Sequence, residues 1–280
     1  MTAIELDALT WPQVRSEIEA GRDTVVLALG ATEQHGCHLP LATDALLGDH
    51  LARALADRLD AFIGPTLRVG CSEHHLGFAG TMSLSEDTFH AVVGDLVRSL
   101  SRGGFRRIVL VPTHGGNFAP LAAAVAKLDQ PERVTALTDL GVLFQIAQLG
   151  EREYGVPLSE GGVHAGEWET SLLLAIHPEL VRMEHAEAGF TGELQDAIAG
   201  MFAEGGVAAL SPIGAIGDPT RASAEHGERY WSLAVELALE QIEASSPTSR
   251  AHARRGGADR DPGGREERAA PQRRSCTRRV

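Results

Sequence analysis

Two stretches of the chain, residues 24–30 and 106–112, carry almost unbroken apolar runs of strand length. Runs of this kind suit strands buried on both faces. Between and after them the apolar positions fall at helical spacing, over residues 44–59, 86–101, 118–128, 166–176 and 222–243, with a shorter helix at 11–20. Thr43 or Asp44 is placed to cap the helix at 44–59, and Ser85 opens the one at 86–101. Residues 61–64 and 133–138 read as further short strands. Residues 70–81 form a long loop, 141–161 fit neither period, and 205–220 are a Gly- and Pro-rich loop. Strands alternating with helices predict an α/β domain with a mainly parallel sheet. No internal repeat is visible.

Composition narrows the class. The chain has 280 residues, 43% of them hydrophobic, enough for a sizeable core. No apolar run is long enough to cross a bilayer, so no membrane partner is expected. The N-terminus carries acidic residues and no basic region ahead of an apolar stretch, unlike a signal peptide. Cys37, Cys71 and Cys276 are scattered and odd in number, which implies no disulfide framework and a cytoplasmic setting. Charge is unevenly distributed. Residues 245–280 hold ten Arg and four acidic residues, and taking that +6 from the whole-chain −13 leaves −19 for residues 1–244. So acidic a body argues against nucleic acid as the partner. The expected organisation is one domain over 1–244 and a disordered basic tail over 245–280, too poor in apolar residues to offset its ordering entropy.

The candidate chemistry lies at strand ends. Glu33, Gln34, His35 and Gly36 follow the first strand, with Asp44 shortly after. The carboxyl ends of strands are where open α/β sheets bind ligands. Glu33 and His35, two apart, point the same way in an extended segment. Carboxylates and imidazole together suit zinc, manganese or iron(II). After the strand at 106–112 come Thr113, His114, Gly115, Gly116 and Asn117, whose glycines allow close backbone approach and whose N–H groups suit a developing oxyanion. A third cluster holds His164, Glu167, Trp168 and Glu169. One acid at a helix start is explained by the helix dipole, but two beside a histidine ask for more. Converging on one sheet rim, Glu33, His35, Asp44, His114 and Glu169 would supply ligands for two divalent ions, one carboxylate bridging. Such a pair holds a hydroxide at neutral pH and polarises a carbonyl.

Taken in order, residues 30–44, 72–81, 114–117, 164–171 and 214–219 resemble the motifs of the creatininase family, creatinine amidohydrolases and their relatives. The resemblance implies a three-layer α/β/α sandwich, a hexamer, and a two-metal amidohydrolase site. Glu33, Asp44 and His114 would hold one ion, and His35 with the bridging Asp44 the other. Creatininases place a glutamate two residues after the counterpart of His114, where it ligates the second ion. Here that residue is Gly116. Glu169 is the best substitute, with Glu167 the weaker candidate or a proton carrier. His164 would polarise substrate or shuttle a proton to the leaving nitrogen. His75, Gly115, Gly116, Asn117 and Trp168 would contact substrate, while the histidine at 74 replaces an expected acid.

The implied activity is cleavage of a C–N bond in a cyclic or small linear amide, with two divalent ions, zinc first and manganese or iron next. Relatives with the His-Gly-Gly-Asn form include formamidopyrimidine deformylases and the mycofactocin peptidase, so a metallopeptidase acting on a short peptide is the alternative. A metal-binding scaffold without turnover is the third. Elsewhere, His38 reads as a loop residue, His50 as solvated, and Cys37 as a small buried side chain rather than a soft ligand. Trp168 and Phe78 either wall the pocket or pack the core. Asp218 forms a turn or touches another subunit, and His226 faces solvent.

Overall fold

Side chains of β2 (Thr24–Leu29) alternate between two cores: Val25, Leu27 and Leu29 enter one, Val26 and Ala28 the other. β4 (Arg107–Pro112) does the same with Ile108 and Leu110 against Val109 and Val111. That alternation, with both faces covered, is why each strand reads as a continuous apolar run. A computed structural model describes residues 3–245. In it, β1 (Ile4–Glu5), β3 (Phe62–Ile63) and β5 (Val134–Ala136) complete a five-stranded sheet of order β1-β3-β2-β4-β5, parallel throughout.

Helices cover both faces, giving three layers. On one side lie α1 (Trp11–Glu19), α3 (Glu86–Arg102) and α4 (Phe118–Val125), which contribute Ile18, Phe89, Val93, Val97 and Leu121. On the other, α2 (Thr43–Leu59) and α10 (Ala224–Ala244) contribute Ala52, Leu55, Ala56, Ala238 and Ile242. A second apolar body, built on Leu149, Trp168, Leu173, Tyr230 and Trp231, joins α5 (Gly141–Tyr154), α7 (Glu167–Ile176) and α10. α6 (Leu158–Gly161) precedes α7, while α8 (Leu194–Met201) and α9 (Gly206–Leu210) pack around Val207 and Ile216.

The β2–β4 ladder places the chemistry. Its register runs from Thr24 opposite Arg107 to Leu29 opposite Pro112, so both strands end level. The Thr113 N–H then donates to the Leu29 carbonyl at 3.1 Å, and its hydroxyl to the Asp44 carbonyl at 2.7 Å. The segments carrying Glu33, Asp44 and His114 therefore leave the sheet side by side.

Several elements differ from expectation. Residues 141–161 resolve into α5 and α6, separated at Gly155, whose φ of 62° ends α5. β1, α8 and α9 are additional, α9 inside the expected loop at 205–220. The strand expected at 133–138 is three residues long. Neither Thr43 nor Asp44 caps α2; both lie in its first turn, the Thr43 hydroxyl donating to the Pro40 carbonyl while the Asp44 carboxylate turns inward. Among the described residues no helix is long and apolar enough to cross a membrane. The expected disordered tail lies, from residue 246 onward, outside the described residues.

Candidate metal centre

Glu33, His35, Asp44, His114 and Glu169 meet at the carboxyl edge of the sheet, each no more than 5% exposed. Asp44 stands at the middle. Its Oδ1 lies 3.3 Å from His35 Nε2 and its Oδ2 3.3 Å from His114 Nδ1. Glu33 Oε1 is 3.3 Å from His114 Nδ1, and Glu169 Oε2 is 3.7 Å from His35 Nε2. Among the described residues three groups bring donor atoms within 4.8 Å of one another: Glu33, Asp44 and His114; His35, Asp44 and Glu169; and Glu33, His35 and His164.

The other ring nitrogen of each histidine assigns its tautomer. His35 Nδ1 lies 3.1 Å from the Glu33 carbonyl, and His114 Nε2 3.0 Å from the Cys71 carbonyl. A carbonyl only accepts, so each of these nitrogens carries the hydrogen and the opposite lone pair points at the carboxylates. His164 follows the same rule, with Nε2–H donating to the Gln34 carbonyl at 2.7 Å and Nδ1 left 3.8 Å from Glu33 Oε1. Gln34 supplies a further device. Its side-chain amide donates to His75 Nδ1 at 2.8 Å and to the Gly214 carbonyl at 3.2 Å. His75 must then carry its hydrogen on Nε2, which lies 3.3 Å from Glu33 Oε1. Backbone carbonyls and one amide thus orient four imidazoles, as outer partners do in metal sites.

The donor set fits divalent cations. Both Glu33 carboxylate oxygens, Asp44 Oδ2 and His35 Nε2 are buried and find no hydrogen-bond partner among the described residues. Buried carboxylates facing imidazole lone pairs are costly unless a cation or proton lies between them. Protons act as the substitute in the protein alone. Burial opposes charge on His35, yet Asp44 and Glu169 hold its imidazole well above the ordinary value. Burial likewise opposes charge on His114, and Glu33 and Asp44 outweigh it. Asp44 is held well below the usual carboxylate range by His35 and His114, against the effect of its own burial. Burial, then the neighbouring His35, pushes His164 down to about 3, so it is neutral at physiological pH.

A cavity of about 140 Å³ opens onto this cluster. Glu33, Asp44, His114, His164 and Glu169 form its polar floor, and Leu143, Phe144, Val163 and Trp168 wall it. His75, Gly115, Gly116 and Trp168, expected as substrate contacts, line it. Asn117 does not. Its Oδ1 accepts the Cys71 N–H at 3.0 Å, and its Nδ2 donates to the Leu29 and Gly30 carbonyls, both at 3.0 Å. It ties the end of β2 to the loop after β3 instead. Glu167 also departs from its expected role. One oxygen accepts from Ser171 at 3.0 Å and meets His226 Nδ1 at 2.7 Å, while the other accepts from Tyr230 at 2.8 Å. Two residues before Glu169 on a helix, it points to a different side, and it anchors α7 to α10.

Residue 116 explains a departure from the family pattern. A Cβ built on Gly116 would stand 2.4 Å from the Cys71 carbonyl oxygen and 2.4 Å from His114 Nε2. No side chain fits there, so a glutamate is sterically excluded. Glu169 reaches His35 from the opposite side, its Oε2 fixed by the Ala165 N–H at 2.6 Å.

Other expectations need correction. Cys37 is exposed, because Gly36, at φ +64°, turns the chain outward there. His38 then turns in and is hydrogen-bonded to the Thr170 hydroxyl at 2.9 Å. His50 is half-buried against Trp231, with ring centroids 4.4 Å apart, rather than solvated. His226 is stacked on Tyr154 at 3.7 Å and held by Glu167, not turned to solvent. Asp218 acts in a turn, accepting from the Thr220 N–H and hydroxyl. Phe78 packs against the α8–α9 core. Gln34, to which spacing assigned no role, is the functional residue the sequence reading missed. Its position between two residues that share a face was the available signal.

Comparison with known proteins places this geometry. The creatininase family model, described as creatinine amidohydrolase, matches residues 7–242. A Mycolicibacterium smegmatis protein named mycofactocin precursor peptide peptidase is 36% identical over 231 residues, spanning 80% of this chain and 85% of its own length. A Pseudomonas putida creatinine amidohydrolase is 32% identical over 193 residues, spanning 63% of this chain and 73% of its own. A solved mutant creatininase described as the Zn-Zn type superposes with a TM-score of 0.73 at 26% identity, over 88% of this chain and all of its own.

Proposed function

The chain belongs to the creatininase family, and from that premise we propose that it is a two-metal amidohydrolase cleaving the C–N bond of a small amide. Glu33, Asp44 and His114 would hold one divalent ion. His35, Asp44 and Glu169 would hold the other, with zinc the first candidate because a similar creatininase is described as a Zn-Zn type. The observation that carries the reading is Asp44, whose two carboxylate oxygens each face a different imidazole lone pair at 3.3 Å, the arrangement a bridging ligand needs. When bound, such ions supply Lewis acidity, which generates a nucleophile from water at neutral pH and polarises a carbonyl.

The chain's own residues do the rest. Apolar walls at Leu143, Phe144, Val163 and Trp168 exclude water around the amide. His164 is neutral at physiological pH, with Nδ1 free because Nε2–H is engaged by the Gln34 carbonyl; there it would accept the proton lost by the attacking water and pass it on to the departing nitrogen. Gln34 keeps His75 in the tautomer with its hydrogen on Nε2, 3.3 Å from Glu33. Gly115 and Gly116 line the cavity, and their N–H groups would serve a developing oxyanion.

A peptide bond as the scissile amide is the second reading, favoured by the similarity to proteins named mycofactocin precursor peptide peptidase. The test is metal content by mass spectrometry on protein purified without chelator, paired with a screen of cyclic amides and short peptides. Wild type should hold two ions per chain, Glu169→Ala one, and Asp44→Ala none. Two ions retained in Asp44→Ala would refute the bridge.

A further inference from the structure

The cavity over the cluster, at about 140 Å³, matches a void that accepts one benzene ring. It therefore admits one small ring or one residue-sized group. It is not closed. His74, Gly115, Gly116, Leu140, Met201 and Phe202 line it and also line a surface groove of about 980 Å³. This groove runs between the loop from Cys71 to Gly77, the first turn of α4, and the turn from α8 into α9.

The neck between the two spaces is bare backbone. A Cβ built on Gly115 meets nothing within 4 Å, and Gly116 carries no side chain for the steric reason already given. The His74 ring forms one wall, stacked on His114 with centroids 5.9 Å apart and tilted against Phe202 at 4.8 Å. Beyond the neck the groove is apolar through Leu84, Phe118, Ala119 and Pro120. Its carboxylates are Glu73 and Glu86, and among the described residues no Lys or Arg lines it. At the rim Phe202 is 65% exposed and Leu140 40%. Large apolar side chains left in water beside a reactive centre suit an apolar occupant.

We propose that this groove is a second subsite, holding the non-reacting chain of an extended apolar amide, neutral or basic but not acidic, whose scissile end crosses Gly115 into the inner cavity. A single-ring amide would fill the inner cavity and leave the groove unused. The inference rests on the cluster being a metal centre, and it adds a second place of recognition.

The test reads binding rather than turnover. Zinc-loaded full-length protein is titrated with acetohydroxamate, small enough for the inner cavity, and with N-acetyl-Ala-Leu-Ala-Leu hydroxamate, which carries the same metal-binding end. The peptide should bind at least about tenfold tighter, the scale of burying one or two apolar side chains. Ala119→Trp, at an exposed position on the groove wall, should abolish that advantage and leave acetohydroxamate affinity unchanged, which also shows the variant is folded. Replacing a leucine of the peptide by glutamate should weaken binding more than replacement by lysine, because the charged side chains lining the groove are Glu73 and Glu86. Equal affinity for the two hydroxamates in wild type, or an advantage that survives Ala119→Trp, overturns the subsite. Failure of zinc-loaded wild type to bind acetohydroxamate at all overturns the metal centre itself.

Discussion

Gly116→Ala puts a methyl group in place of a hydrogen at a crowded point beside the cluster. The new Cβ would lie 2.4 Å from the Cys71 oxygen and 2.4 Å from His114 Nε2, against an ordinary contact of 3.4–4 Å. Something must open by about 1 Å. The Cys71 oxygen is main chain, beside a backbone N–H tied to Asn117, so the yielding partner is the His114 ring. That ring is pinned at Nε2 by the Cys71 carbonyl and presents Nδ1 to Glu33 and Asp44 at 3.3 Å. Displacing it loses the outer partner and misaims the lone pair. Loss of such a partner weakens metal affinity by about 10–100-fold. Overpacking costs about 1–3 kcal/mol of stability, or roughly 2–4 °C per kcal/mol in a chain of this size. Zinc affinity is measured by chelator competition, and metal-free stability by thermal unfolding. Gly115→Ala, where a Cβ meets nothing, is the control and should keep wild-type zinc affinity. Zinc affinity of Gly116→Ala within twofold of wild type would refute the steric account, and with it the reason residue 116 is not a glutamate.

The pH dependence of stability has a definite sign. His35 and His114 are held above their ordinary value, so their contribution to the metal-free fold is full below about pH 6.5 and is lost as pH rises through the raised values. Asp44 is held down, and its contribution is present above about pH 4 and lost as pH falls. Metal needs neutral imidazole, so the melting-temperature gap between zinc-loaded and stripped protein should widen from pH 6 to pH 8.5; a narrowing gap contradicts the assignment. Gln34→Leu releases His75 while the main-chain carbonyl at position 34 stays on His164, and should lower kcat by about 10–100-fold with both metals retained by mass spectrometry; unchanged kcat would remove the Gln34 side chain from the orienting set. Tyr230→Phe takes one donor from the buried Glu167 and should cost about 1–3 kcal/mol in denaturant unfolding, with zinc affinity unaltered; a neutral result would mean that oxygen finds solvent.

Legibility from sequence followed how local the physics was. β2 and β4 are evident because a strand covered on both faces is apolar at every position. β1 is two residues long and exists only through its neighbour, whereas β3, equally short, was marked by the apolar run at 61–64. α8 and α9 are short and rich in small residues, and their apolar side meets its partner only after the chain returns through Ile216. In the site, residue type together with strand-end position for Glu33, His35, Asp44 and His114, and helix-start position for Glu169, brought the five into one group. They misassigned Asn117 and Glu167, polar side chains in the right motifs that serve backbone and packing. His226 looked like a solvent residue because nothing local indicates that Glu167 and Tyr154 arrive from 59 and 72 positions away.

The level ending of β2 and β4 bears on how the protein is made. Three members of the cluster, Glu33, His35 and Asp44, leave the ribosome within a dozen residues of one another, whereas His114 follows 70 residues later and Glu169 a further 55. At about 5–20 residues per second, the first three wait roughly 4–14 s for His114 alone. During that interval the nascent chain presents a loose acidic and imidazole trio that cannot yet be closed by parallel pairing, which requires the later strand. Metal offered during synthesis would meet an open chelator, whereas metal offered afterwards would meet a frame already set by the ladder. Apoprotein refolded before metal addition should therefore load more uniformly than protein synthesised in metal excess.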